Sequence, residues 1–422
     1  MQNQDEDSVD LLGRIIIVED LTTDIIELLG SSLEIEPLFF ASHLYTLRSE
    51  KTAQLPDVRL FPSTIKRLKF IKAVSHRPLS FEGNSIPRML SCDGNVRRKA
   101  SCFSSFKGMS IGMSQRSFSS FMSRKGSRPW VGLVLVDPPQ RNTFFIDERG
   151  QERDPTPIII RSEPFQGGYH DFTSTGVFSD SSYNNVYGPP QSSLLDDVVY
   201  YWMNEFLPLS LFDPQSPTLL SISYYPLQVL VAEWMNFANL MLFSIENLED
   251  STSTLSVTAS ELGVLESNVR ELQSWRRRTT DSVHKLHALT DTIRSHLSTD
   301  RDSEPWESLL DDIAHVVTRI EVYGRRFEAI LPVLTSFVQI VESRRSFAEA
   351  KSITRLSYLA LIFVPLTFVS GLFSMSGDLE PGKQGFWIYF AVAIPLVVIV
   401  FLIARRNGGL AFRLPSWLNF DL

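Results

Sequence analysis

Two uncharged stretches near the C-terminal end constrain this 422-residue chain more than any other feature. Leu356–Phe373 reads LSYLALIFVPLTFVSGLF and Phe386–Ile403 reads FWIYFAVAIPLVVIVFLI, 18 residues each. At 1.5 Å rise per residue, each helix covers about 27 Å, close to the roughly 30 Å of hydrocarbon in a bilayer. Only 12 residues, 374–385, join them, so a transmembrane hairpin with both ends on one side is expected. Arg344, Arg345, Lys351 and Arg355 precede the first span, and Arg405, Arg406 and Arg413 follow the second. The joining loop, SMSGDLEPGKQG, has a single Lys. The positive-inside rule then places both termini in the cytoplasm. No organelle address is visible, so the plasma membrane is the expected compartment. A third apolar stretch, Pro226–Leu248, carries Gln228, Glu233, Asn236 and Asn239. A central carboxylate costs roughly 3 kcal/mol to insert, so this stretch is expected to be a packed helix of the soluble part.

The expected fold class is an α+β membrane protein. An N-terminal cytoplasmic α/β domain spans 1–250, long coiled-coil stalk helices 251–352, the transmembrane hairpin 353–404 and a cytoplasmic tail 405–422. The spans themselves fall at about 356–375 and 386–404. Arg14–Val18 (RIIIV) reads as a buried strand, followed by a helix with Thr22 or Thr23 as its cap. Pro37 suits the first turn of a second helix, and Ile65–Val74 reads as a strand. Residues 76–129 are Ser-rich and basic, with eight Lys or Arg and one acid between Asp93 and Arg128. Such composition buries little apolar surface, so a disordered insertion is expected there. Within it, Arg97-Arg98-Lys99-Ala100-Ser101 reads as a possible phosphosite at Ser101. Apolar residues stepping by three or four mark helices over roughly 258–297 and from about 305 into the first span.

No nucleophile elbow, P-loop, zincin or dinucleotide fingerprint occurs, so an enzyme is not expected. His284 and His287 are read as surface residues, and the basic segment lacks the aromatic platform of a nucleic-acid binder. The first span is more informative. Ile353, Leu356, Ala360, Val364, Thr367, Gly371 and Ser374 step by three or four along one stripe. The stripe is apolar at the cytoplasmic end and small or hydroxylated toward the other. In a ring of copies it could line a wet axial path; alternatively it packs helices. In the outer loop, Asp378 and Glu380 could concentrate cations or simply keep the loop soluble.

Ile362-Phe363-Val364-Pro365-Leu366-Thr367, followed by Gly371-Leu372-Phe373-Ser374-Met375-Ser376, resembles the CorA-type divalent-cation channel/transporter superfamily. The order of parts over about 300–410 resembles it too: a long stalk helix, a Pro-Leu-Thr, a short outer loop, a second span and a basic tail. The resemblance implies a homopentamer embedded in lipid that conducts Mg²⁺, with Zn²⁺, Co²⁺ or Ni²⁺ as further cargo and no cofactor. It also implies a hydrophobic gate at Ile353 and Leu356, pore rings at Val364, Thr367 and Gly371, and a filter at Ser374, Met375 and Ser376. Where the family has Gly-Met-Asn, this chain has Ser374-Met375-Ser376, so the amide that touches the ion's hydration shell is replaced by a shorter hydroxyl. A non-conducting scaffold or regulatory subunit of the same fold is the alternative.

Overall fold

The computed structural model describes residues 12–44, 69–82, 89–106, 109–124, 129–146, 156–173, 188–204, 211–254, 262–297, 304–375 and 385–406. The chain divides into two compact units, one of Met1–Leu255 with Val264–Thr335, the other of Ser256–Gly263 with Ser336–Leu422. The long helices that the sequence suggested as a separate stalk therefore share a unit with the sheet as far as Thr335.

The first unit opens with strand β1 (Gly13–Glu19), helix α1 (Thr23–Leu33) and helix α2 (Pro37–Leu44). Thr22 caps α1, its side chain accepting the Ile25 N–H at 3.2 Å, and Glu34 ends the helix in a left-handed conformation. Strands β2 (Phe70–Glu82), β3 (Met89–Ser91), β4 (Lys99–Phe106), β5 (Met109–Ser123), β6 (Trp130–Val136), β7 (Thr143–Ile146), β8 (Ile158–Ile159) and β9 (Ser162–Pro164) follow. The sheet runs β1-β6-β5-β4-β3-β7-β8, with β2 also on β5 and β9 on β2. Only the β1–β6 pairing among these is parallel.

Strand β5 organises this sheet. One edge carries the whole of β2, from Phe70 opposite Phe121 to Glu82 opposite Met109. Its other edge is shared: β4 takes Met109 to Ser114 and β6 takes Phe118 to Ser123. Between them lies a gap in the ladder, filled by Asp137 just beyond β6. The Asp137 carboxylate accepts the Ser117 N–H at 2.6 Å, and the Asp137 N–H donates to the Ser117 carbonyl at 3.2 Å. Arg98 grips the same carboxylate with two bonds, 2.7 and 2.5 Å.

The described parts of segment 76–129, expected to be disordered, thus form the centre of the sheet. Several of its serines are buried and hydrogen-bonded: Ser119 meets the His43 ring at 3.0 Å, Ser120 meets Ser223 at 2.5 Å, and Ser117 donates to the Ala73 carbonyl at 3.2 Å. Two of its basic residues, Arg98 and Arg116, are neutralised by acids far along the chain. Ser101, the possible phosphosite, is 5% exposed within β4, and Arg98, three residues before it, is bonded to Asp137. Strand β2 begins at Phe70; residues 65–68 of the expected Ile65–Val74 strand lie outside the described residues.

Helices cover the sheet. Helix α1 and helix α2 bury Leu21, Ile35, Phe39 and Phe40 with Phe70, Leu133 and Leu135. After α3 (Leu194–Asn204) comes α4 (Leu219–Thr254), which contains Pro226–Leu248. It is a packed helix, as its polar residues implied: Trp234, Phe237 and Leu240 are fully buried, and the Trp234 indole donates to the Val74 carbonyl at 3.0 Å. It approaches so closely that a Cβ on Gly132 of β6 would meet Ile222 at 2.6 Å. Helices α5 (Leu262–His296) and α6 (Glu304–Phe373) then pair, with Trp275 stacked between Phe103 and Phe327 at 4.5 and 5.4 Å. At Gly324 the two lie close, since a Cβ there would lie 2.5 Å from Thr279. Helix α6 comprises 70 residues and includes Pro332 and Pro365.

Candidate functional site

The second unit holds the end of α6 and helix α7 (Trp387–Arg406). The two are antiparallel in chain order across a short joining segment, and each has one packed face. Pro365 and Val369 are buried on α6, Ala393 on α7, and the Phe373 and Tyr389 rings meet edge to face at 5.9 Å. Most other large apolar residues of the pair are exposed, including Ile362, Phe368, Leu372, Ile394 and Ile399. Apolar surface on this scale needs a non-aqueous neighbour.

All seven stripe positions, Ile353, Leu356, Ala360, Val364, Thr367, Gly371 and Ser374, are exposed. At 100° per residue they cluster roughly opposite Pro365 and Val369, on the side of α6 turned away from α7. Nothing lies within 4 Å of the position a Gly371 Cβ would take. The Thr367 hydroxyl is 2.9 Å from the Phe363 and Val364 carbonyls, so its proton is spent within the helix and its lone pairs point outward. Met375 is 86% exposed just past the helix end. Ser376, Asp378 and Glu380 lie outside the described residues, as do 407–422 of the expected tail.

The first unit holds two ionic clusters that composition did not reveal. In one, Arg98 and His43 converge on Asp137, and Lys72 reaches the Ser42 carbonyl. In the other, Arg116 pairs with Glu233 at 2.6 Å and approaches Asp197 at 3.8 Å, while Ser75 also contacts Glu233 and Arg77 donates to the Gln191 carbonyl. Burial lowers Lys72 to about 8 and Arg77 to about 10, each helped by a neighbouring guanidinium. Burial lifts Asp197, and Arg116 opposes the rise. These are framework interactions: they tie α3, α4 and the sheet together. Among the described residues no group of three or more His, Cys, Asp or Glu is placed to hold a metal.

Two histidines, His43 buried and His76 half-buried, set an expected pH response. His43 sits beside Arg98 and Lys72, and His76 beside Lys285, whose amine is 3.0 Å from its Nε2. Burial first, then those cations, depress both well below 6.5. His43 stays neutral although Asp137 is 3.5 Å away, because Arg98 already holds that carboxylate. The unfolded chain takes up these protons below about pH 6.5 and the folded chain does not, so stability is present above that pH and falls as pH drops. Each histidine removes about 1.4 kcal/mol per pH unit until its folded pKa is reached. Denaturant titrations at pH 7 and 5.5 should show this loss, and His76→Gln should remove about half of it.

Residues 222–405 match the family model described as CorA-like Mg²⁺ transporter protein, a segment that starts in α4 and ends in α7. Over this segment the chain is similar to CorA-like Mg²⁺ transporter proteins. The matched segment contains the stripe, α7 and Glu233, whereas every described strand, the last ending at Pro164, precedes it. Among solved structures, the CorA magnesium transporter from Methanocaldococcus jannaschii is similar, with 13% identity, a TM-score of 0.38 and coverage of 94% of this chain and 91% of that one. The full-length CmaX protein is similar with 14% identity, a TM-score of 0.33 and coverage of 78% and 79%. No curated protein matches this chain.

Proposed function

We propose that this CorA-like protein conducts divalent cations, Mg²⁺ foremost and Zn²⁺, Co²⁺ or Ni²⁺ as further cargo, through a homo-oligomeric pore lined by the first span. The observation that carries this reading is the orientation of the stripe. Its hydroxyls and small residues are exposed on the side of α6 opposite Pro365 and Val369, and nothing lies within 4 Å of where a Gly371 Cβ would be. Five copies around an axis, the number the family resemblance implies, would turn this side inward and leave the greasy flanks to lipid. Thr367 and Ser374 would then offer oxygens to the waters of a hydrated ion. Mg²⁺ sheds those waters reluctantly, so contact through the hydration shell is the economical mode. Ile353 and Leu356, both more than 60% exposed, supply the apolar constriction that gates by dewetting. Asp378 and Glu380 would attract cations at the outer mouth, leading to Ser374, Met375 and Ser376. Charge asymmetry supports cytoplasmic termini, and the plasma membrane is the default compartment.

Purified protein in liposomes, with a Mg²⁺ indicator inside, should report flux driven by a gradient or a potential. Absence of Mg²⁺, Zn²⁺, Co²⁺ and Ni²⁺ flux from folded, oligomeric protein would remove this reading. The replaced filter residue favours a second one, a non-conducting scaffold or regulatory subunit. In that case Ser376→Asn should create flux where the native chain has none.

A further inference from the structure

In the second unit the charges beside the uncharged run of α6 are sorted by face. Lys351 and Arg355 are exposed, about one helical turn apart, and Arg355 adjoins Leu356, where the run begins. At 100° per residue both fall on the side that holds the buried Pro365 and Val369, roughly opposite the Thr367 and Gly371 stripe. Among the described residues neither forms an ion pair. The acids of the same stretch, Glu342 and Glu349, lie about 120° or more around the helix from either. Glu349 is bonded to Arg345 at 2.9 Å. Helix α7 ends in Arg405 and Arg406. From the contact between the Phe373 and Tyr389 rings, Arg355 lies about 27 Å back along α6 and Arg405 about 24 Å onward along α7. The two helices thus bring basic residues to nearly one level.

We propose that Lys351 and Arg355, with Arg405 and Arg406, bind the head groups of anionic phospholipids in the cytoplasmic leaflet. The inference rests on the hairpin spanning a bilayer and not on conduction. Head groups add roughly 5–7 Å to each side of the hydrocarbon, and Lys351 and Arg355 are about 6 Å apart along the helix axis. Both therefore stand in the head-group layer when the uncharged run fills the hydrocarbon. A bare need for positive charge at the cytoplasmic end would be met by any distribution around the helix. Here the acids are turned toward the stripe, while Lys351 and Arg355 share the side of Pro365 and Val369. In a ring of copies with the stripe at its axis, that side is the periphery, where lipid is. Phosphate and carboxylate oxygens of a lipid head group supply the counter-charge that no described acidic residue gives to Lys351 or Arg355.

The test titrates the full chain in detergent with phosphatidylserine or with phosphatidylcholine of the same acyl chains, and counts bound lipid by native mass spectrometry. Each basic residue beside an anionic leaflet is worth about a fivefold preference. Phosphatidylserine should therefore bind at least about tenfold more tightly, and the preference should shrink in high salt. Lys351→Gln combined with Arg355→Gln should cut the preference at least about tenfold while leaving the thermal midpoint unchanged, since both residues are exposed. Arg345→Gln, on a different face and farther from the run, should change it by less than about twofold. Inorganic phosphate should not displace the lipid. Equal binding of the two lipids would overturn the proposal, as would a preference that survives the double substitution, an equal loss with Arg345→Gln, or displacement by phosphate. Insertion into phosphatidylcholine liposomes, read as resistance to alkaline extraction, tests the spanning reading separately. A chain that inserts without preferring phosphatidylserine overturns the lipid site alone, and one that does not insert overturns both.

Discussion

Thr367→Phe should abolish cation flux, lowering it at least a hundredfold, while the protein still folds, inserts and assembles. Thr367 is exposed on the side of α6 turned away from α7, so a phenyl ring there meets no atom of its own hairpin. In a ring of copies the same ring enters the axis from every subunit and replaces hydroxyl oxygens with hydrocarbon that no hydrated ion wets. Phe368→Trp is the paired control. It enlarges the next residue, about 100° around the helix, where the native Phe is already exposed. Flux in liposomes, read beside particle size in detergent, separates the outcomes. Loss in both variants would point to general damage, and loss in neither would move the conducting path off this stripe.

Arg116→Met should destabilise the first unit by about 3–5 kcal/mol, because it strands carboxylates that are already desolvated. Glu233 is 2% exposed and Asp197 is fully buried, so water cannot take over the guanidinium's role. Urea unfolding monitored by near-ultraviolet dichroism of the buried tryptophans would measure the change. Adding Glu233→Leu to the Met variant should restore part of the loss, since an apolar pair of similar volume avoids the desolvation cost. If Arg116→Met alone costs under 1 kcal/mol, the pair adds nothing beyond a surface bridge.

Much of this architecture is local in origin and therefore readable along the chain. The hairpin declares itself through two charge-free runs, α1 through Thr22, and α2 through Pro37. Glu233 within an apolar stretch correctly argued for a packed helix, because a carboxylate there requires a protein partner. That partner, Arg116, lies 117 positions earlier, and Asp137 lies 39 positions from Arg98. Composition averaged over a window counts such arginines as uncompensated charge, and the segment 76–129 was misread for that reason. Its serines compounded the error: β5 buries Ser114, Ser117, Ser119 and Ser120 alongside Phe118, which erases the alternation that identifies a half-buried strand. The stripe on α6 was legible by its spacing, whereas its direction relative to α7 required the packed pair.

The hydroxyl-rich centre of the sheet also has a calorimetric consequence. Unfolding normally raises heat capacity because methyl and methylene groups become hydrated, and newly hydrated polar groups subtract from that rise. A domain whose central strand hides serines in place of valines exposes fewer of the former and more of the latter. Its stability curve should be correspondingly flat, with free energy changing little over a broad temperature range and with cold denaturation pushed further from physiological conditions.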